Sequence, residues 1–303
     1  MKWTPTGKVL IQGIEKPLAR SYAARMREKG TNIVAGVAIG RGGTSIEGIP
    51  VFDLVEKAIA TEGSIETSLL FVDPYRVLDA ALEAIDAGIR QLIIVTGGVP
   101  PLDTVELLKK ASATGTFILG PGSSGLIIPG QLWLGTCEPG FYRSGDIGLI
   151  AKGAALPGAS GDRLIDEVAR TITAAGFGLT MAVSLGTDGI LGSNLSQWLQ
   201  VLEEDENTRA IVLVSQIGGK AEIDAARYIA EAIEKPVIAY ITGLNSPIES
   251  RFADADTIIK GALSYTEAIS RLRRDIPRYF EEAGVTAIEK LSELPEYLEI
   301  VLS

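Results

Sequence analysis

The chain has 303 residues, a formal net charge of −10 from 28 Lys and Arg against 38 Asp and Glu, and no histidine at all. Its acidity, without any Lys/Arg run, argues against a nucleic-acid partner, and no apolar stretch reaches the ~18 residues of a membrane span. The missing histidine removes the side chain whose ordinary pKa lies between about 5 and 8, and with it any His-based triad, His general base or phosphohistidine.

Apolar residues make up 46% of the chain and charged residues 22%, enough for a real core in a chain of two-domain length. Lys8–Gln12 reads as a strand, Pro17–Lys29 as a helix ended by Gly30, and Thr31–Val37 as a strand. Val51–Thr61 is expected to be helical, Thr67–Val72 a strand, Val77–Ala87 a helix and Gln91–Val95 a strand. Leu102–Ala113 follows as a helix and Thr116–Leu119 as a strand. This βαβα rhythm predicts a doubly wound parallel sheet. A turn-rich stretch, Glu138–Asp146, then breaks the pattern. A second series begins with strand Ile147–Ala151 and helix Leu164–Ala175. Strand Leu179–Ser184, helix Leu195–Glu203, strand Ala210–Ser215, helix Ala221–Ile233 and strand Pro236–Thr242 continue it. A short strand at Thr257–Lys260 and helices near Thr266–Ala283 and Ser292–Leu302 finish the chain. The expected division is 1–142 and 143–303.

The N-terminal stretch MKWTPTGKVLIQG has too short an apolar run for a signal peptide. The single cysteine, Cys137, has no partner for an internal disulfide and no histidine to activate it. Both features fit a structural thiol in a reducing, cytoplasmic compartment.

Gly-rich segments fall at the carboxyl ends of the expected strands, where open α/β sheets bind ligands. Gly36-Val37-Ala38-Ile39-Gly40-Arg41-Gly42-Gly43-Thr44, followed by Gly48-Ile49-Pro50-Val51-Phe52, resembles the coenzyme A loop of the succinyl-CoA synthetase α-subunit family, G-V-x-P-G-K-G-G-T then G-x-P-V-F. Leu82–Ile89 resembles that family's L-E-A-I-D-A-G-I, Thr96–Pro100 its T-E-G-I-P, and Gly120–Gly125 its G-P-N-C-P-G. Gly176–Gly178, Gly192–Asn194 and Ile217–Gly219 fall at the corresponding points further on. Each motif is weak alone; in series they are fairly specific.

The resemblance implies an N-terminal Rossmann-like CoA-binding domain followed by a flavodoxin-like ligase domain. It implies an α subunit that makes an acyl-CoA with an ATP-grasp β-type partner, which brings the nucleotide, through a phosphohistidine. Gly13, Lys16, Arg41, Gly42, Gly43, Thr96, Ser123 and Ser124 are then the candidate CoA contacts. A homo-oligomer is the other assembly considered, and no metal is expected, since Asp188, Asp254 and Asp256 form no compact ligand constellation in the sequence.

The chain departs from the family where the chemistry would be. Arg251–Asp256 stands at the family's R-M-G-H-A-G and puts Asp254 at the histidine position; Gln216 stands at the glutamate of E-I-G-G. The phosphate loop S-R-S-G is replaced by the longer Ala151–Asp162, with Ser160-Gly161 as its candidate remnant. The first loop, G-x-T-G-x-x-G in the family, reads Gly13-Ile14-Glu15-Lys16-Pro17-Leu18-Ala19, so Glu15 sets negative charge where a glycine nest would greet phosphate. Asp254 is either a phosphoryl acceptor through an acyl phosphate or a solvated or capping carboxylate. The combined losses predict a subunit that has lost phosphohistidine turnover and serves binding, assembly or regulation. The alternative is an active acid–CoA ligase, or an acyl- or carbamoyl-transfer enzyme, whose chemistry runs through Asp254 or the partner. An NAD-type redox module is disfavoured because the dinucleotide fingerprint is missing.

Overall fold

The computed structural model describes residues 3–153, 163–216, 220–242 and 276–303. Two sheets organise them, each of seven strands among those residues. The first contains β1 (Val9–Gln12), β2 (Ile33–Val37), β3 (Ser45–Ile46), β4 (Ile49–Phe52), β5 (Thr67–Leu70), β6 (Gln91–Ile94) and β7 (Phe117–Leu119), in the order β3-β4-β2-β1-β5-β6-β7. All its pairings are parallel except β3 with β4. Helices α1 (Pro17–Glu28), α2 (Val55–Glu62), α3 (Val77–Asp86) and α4 (Pro101–Thr114) lie between the strands in sequence. All four residues of β1 are buried, as expected of a parallel strand covered on both faces. Helix α1 starts on Pro17, whose fixed φ suits a first helical position, and buries Ala19, Ala23 and Met26 along one stripe.

The second sheet contains β8 (Gly125–Ile128), β9 (Leu132–Gly135), β10 (Ser144–Lys152), β11 (Leu179–Ser184), β12 (Ala210–Gln216), β13 (Val237–Thr242) and β14 (Thr286–Ile288), in the order β14-β13-β12-β10-β11-β8-β9. Helices α5 (Arg163–Ala174), α6 (Leu195–Glu204) and α7 (Lys220–Ala232) separate its parallel strands, and the helix Leu294–Leu302 closes the chain. Helix α6 opens with a reciprocal capping box between Asn194 and Gln197.

One expectation is corrected. Val51–Phe52 belongs to β4, and α2 begins only at Val55, because Gly48 turns the chain back into the β3–β4 hairpin. The segment 125–135, to which no element was assigned from the residues, forms the β8–β9 hairpin about a Pro129-Gly130 turn. It pairs antiparallel with β11 and so joins the second sheet. Strand β14 was also unforeseen; it is only three residues long. The strand expected at Thr257–Lys260 and the helix expected from Thr266 through residue 275 lie outside the described residues.

One apolar cluster runs through both sheets. Phe117 of β7 meets Trp3 and Trp198 of α6 edge to face, with ring centroids 6.2 and 5.7 Å apart. Such pairs add roughly 0.5–1.5 kcal/mol each beyond burial. The Trp198 indole N–H donates to Ser193 Oγ at 3.1 Å, so the burial leaves no orphan donor there. On the other side, Arg25 of α1 forms a forked pair with Glu138 at 2.7 and 2.8 Å and lies 5.3 Å from the ring centroids of Tyr22 and Trp133. Helix α1 is thereby tied to the hairpin of the second sheet.

Candidate functional site

Strands β1, β2 and β5 end level, with Gln12 opposite both Val37 and Leu70. A cavity of about 210 Å³ opens over their carboxyl ends, lined by Gln12, Gly13, Glu15, Val37, Ala38, Ile39, Val72, Arg76, Asp79, Ala80 and Glu83. Gln12 is buried and fixed at both ends: its Nε2 donates to the Ala80 carbonyl at 2.8 Å and its Oε1 accepts from Ser68 Oγ at 2.9 Å. Gly13 has φ +79°, and a Cβ there would lie 3.0 Å from the backbone of Phe71 and Val72. The β1–α1 turn therefore crosses the end of β5 too closely for any side chain. Lys16, the expected phosphate contact, is turned to Asp73, whose two oxygens hold its Nζ at 2.7 and 2.9 Å.

The Gly-rich loop after β2 is organised by a carboxylate. Asp53 Oδ1 accepts the Gly42 N–H at 2.9 Å, and the Gly40 and Arg41 N–H groups also act on it. These bonds, Gly42's first, hold the Asp53 carboxyl below its ordinary value. A Cβ on Gly42 would run into that carboxylate, and Gly43 donates its N–H to the Val51 carbonyl at 3.0 Å. The loop's concavity is thus filled from within, while the Arg41 side chain points to solvent. Thr96 Oγ1 donates to the Val72 carbonyl at 2.6 Å and so ties the end of β6 to that of β5.

Ser123 and Ser124 lie away from the cavity and are buried. The Ser123 hydroxyl donates to the Ser184 carbonyl and accepts from Gly125 N–H at 2.8 Å; the Ser124 N–H donates to Ser184 Oγ at 3.3 Å. Both fasten the hairpin to β11. Cys137 is also fully buried, its thiol 3.3 Å from the Ser124 carbonyl. Asp188 bridges the sheets: its carboxylate accepts the Gly98 and Val99 N–H groups just before α4, at 2.9 Å each.

Gln216 ends β12 opposite Thr242; Asp254, Ser160 and Gly161 lie outside the described residues. What the second sheet does show at its carboxyl edge is a group that sequence reasoning missed. Lys152 ends β10, Ser215 stands beside it in register on β12, and Glu222 lies in the first turn of α7. Glu222 has no exposed surface, and its Oε1 accepts from Lys152 Nζ at 2.8 Å and Ser215 Oγ at 2.6 Å. A buried carboxylate requires such partners. The available signal was a lysine closing the apolar strand Ile147–Ala151, a position at the ligand-binding edge of a parallel sheet. Among the described residues, no three His, Cys, Asp or Glu side chains gather as a metal cluster, and no helix is long and apolar enough to cross a membrane.

Comparison with known proteins bears on this architecture directly. Residues 4–98 match the CoA binding domain family and residues 159–274 the CoA-ligase family. The chain is 34% identical to the α 1 subunit of ADP-forming succinate–CoA ligase from Archaeoglobus fulgidus, over 97% of this chain and 96% of that one. It is 32% identical to the α subunit of ADP-forming succinate–CoA ligase from Aquifex aeolicus, over 97% and 92%. Among solved structures, ATP citrate lyase from Methanothrix soehngenii, in complex with citrate and coenzyme A, superposes with a TM-score of 0.82 at 20% identity over 99% of this chain. The dinucleotide-forming acetyl-coenzyme A synthetase 1 of Ca. Korarchaeum cryptofilum does so with a TM-score of 0.72 at 17% identity over 98%. This chain spans 50% of the lyase and 61% of the synthetase, and at such identities the likeness speaks for the fold alone. A CoA-binding domain on the first sheet, a CoA-ligase domain on the second and a third of all residues shared along nearly the full length place the chain in the succinate–CoA ligase α-subunit family.

Proposed function

We propose that the chain is an α-type subunit that binds CoA through its first domain, pairs with a nucleotide-carrying ATP-grasp β-type partner in the cytoplasm, and does not turn over through a phosphohistidine. One observation carries this reading: none of the 303 residues is a histidine. No shift of alignment and no rearrangement of a loop can supply a phosphorylated imidazole from this chain. The family membership supports the CoA and partner assignments, since the relatives are named as α subunits of a succinate–CoA ligase. The change of the family's glutamate to Gln216 fits the same loss, since no imidazolium is left in this chain for a carboxylate to steady. The remaining role is binding, assembly or regulation within the complex.

The test uses the chain purified with its partner. Incubated with ATP, CoA and succinate, citrate or malate, the complex should form no acyl-CoA, and γ-labelled ATP should leave no label on this chain. Robust acyl-CoA formation would refute the loss of turnover. A second reading rests on Asp254 at the histidine position: a carboxylate accepts a phosphoryl group as an acyl phosphate in some ATPases. Acid-stable, hydroxylamine-labile label on Asp254 would select that reading.

A further inference from the structure

The first-domain cavity carries a charge pattern that a diphosphate does not match. Glu15 lines it, and one carboxylate oxygen, Oε2, is buried without a hydrogen-bond partner. A carboxylate oxygen removed from water and left unpaired is costly, so this one marks an acceptor that the folded chain does not itself satisfy. Nothing nearby offsets it. Lys16, the next residue, is committed to both oxygens of Asp73. Pro17 begins α1 and contributes no N–H where an anion would sit at the helix start. Two more acids, Asp79 and Glu83 of α3, share the lining, and Glu83 accepts the Val55 N–H at 2.8 Å. Val37, Ala38, Ile39, Val72 and Ala80 form an apolar part of the lining, beside Gln12, whose amide is already bonded to Ala80 and Ser68. The single cation of the lining is Arg76, which is exposed and forms no ion pair among the described residues.

We infer that Glu15 is the specificity-determining residue of this cavity: it accepts a hydrogen bond from an N–H or O–H group of an adenine nucleoside seated against the apolar wall, and the ligand's phosphates lie toward Arg76 rather than over the β1–α1 turn. The inference rests on the reading of the first domain as the CoA site and names how that site reads its ligand. The apolar side chains suit a purine ring, the acids suit its donors, and the Arg76 guanidinium suits the anion.

Titration calorimetry on the full chain with adenosine, ADP and CoA tests it. Glu15→Ala should weaken adenosine about tenfold or more, as expected for a lost hydrogen bond to a charged group, and Glu15→Gln, which keeps a neutral acceptor, should weaken it less. Arg76→Ala should weaken ADP and CoA roughly tenfold and leave adenosine unchanged. Adenosine binding equally to wild type and Glu15→Ala overturns the inference. So does tighter CoA binding to Glu15→Gln with adenosine unchanged, which would make Glu15 only a repulsive charge. CoA failing to bind while adenosine and ADP follow the stated pattern removes the CoA reading and leaves the role of Glu15 standing. Failure of all three probes to bind wild type removes both. A thermal melt of each variant separates a lost contact from a lost fold.

Discussion

Lys152 and Glu222 stand 70 residues apart in sequence and 2.8 Å apart in space, with the carboxylate fully buried and the amine 20% exposed. Breaking such a pair from one side leaves an uncompensated charge in the interior. Lys152→Met should therefore lower the unfolding free energy by about 3 kcal/mol, even though Ser215 still donates to Glu222. The double variant Lys152→Met with Glu222→Leu should recover most of that loss, because two apolar groups replace the pair. Urea denaturation of wild type, Lys152→Met, Glu222→Leu and the double variant decides it; Lys152→Met as stable as wild type would show that the pair contributes nothing. Asp53 makes a second residue-scale case. Its carboxylate takes the N–H of Gly42 inside the Gly-rich loop, so Asp53→Ala should speed amide exchange at Gly42 roughly tenfold. Unchanged exchange would mean that the loop holds its shape without this bond.

Asp188 joins two elements that the chain sequence keeps far apart, the loop after β11 and the start of α4. Asp188→Ala should cost roughly 2 kcal/mol, since the Val99 N–H is in a buried residue and loses its acceptor. Asp188→Asn, which keeps one acceptor oxygen, should cost about half as much. Equal stability of all three proteins in urea would remove the bridge from the account. This contact also shows what could be read from residues alone. The alternation of apolar runs with amphipathic stretches marked the chain order of most parallel strands and their helices, because such patterns are local, but it did not reveal β4 or β14, each of which pairs in parallel with one neighbour. The edge hairpins were less visible. In β8–β9 the Pro129-Gly130 turn between two apolar runs was the available signal, but continuous apolar runs do not declare whether they are strands or connections. Local geometry was legible where it depends on glycine: Gly13 takes a positive φ and a Cβ there would press on the backbone of Phe71 and Val72, while a Cβ on Gly42 would meet the Asp53 carboxylate. It was not legible where it depends on partners. Lys16 is expected at phosphate, and the ion pair it makes with Asp73 could not be read from the residues. Asp53 and Asp188 each use their carboxylates on backbone N–H groups that no side-chain pattern announces.

At the scale of the whole molecule, the ionisable groups that are displaced among the described residues share one trend. Asp53, through the N–H of Gly42, and Glu167, through Arg170, are held below their ordinary values of 3.8 and 4.5. Burial pushes the phenols of Tyr142 and Tyr240 above their ordinary value of 10.0. Arg25, through Glu138, and Arg170, through Glu167, are raised from a value already beyond the physiological range. Every displaced group among these moves away from neutrality, and no histidine stands between them. The lowered carboxyls contribute stability that is present above their unfolded values and lost as pH falls through the folded ones. The raised phenols contribute stability that is complete below 10.0 and lost as pH rises beyond it. Stability should therefore form a plateau from about pH 5.5 to 7.5, a window in which ordinary side chains other than histidine do not titrate. Calorimetric scans should place the melting midpoint within about 3 °C across that window, the equivalent of about 1 kcal/mol in a chain of this size. A midpoint that moves by more than twice that amount would require a strongly displaced carboxylate that the folded chain hides. The same reasoning reaches the assembled complex. An imidazole that titrates in a rate or binding step of this chain with its β-type partner can come only from the partner, so replacing the partner's histidines one by one should abolish an inflection near pH 6.5; an inflection kept in every such variant would belong to the phosphates of the ligands or to a displaced group instead.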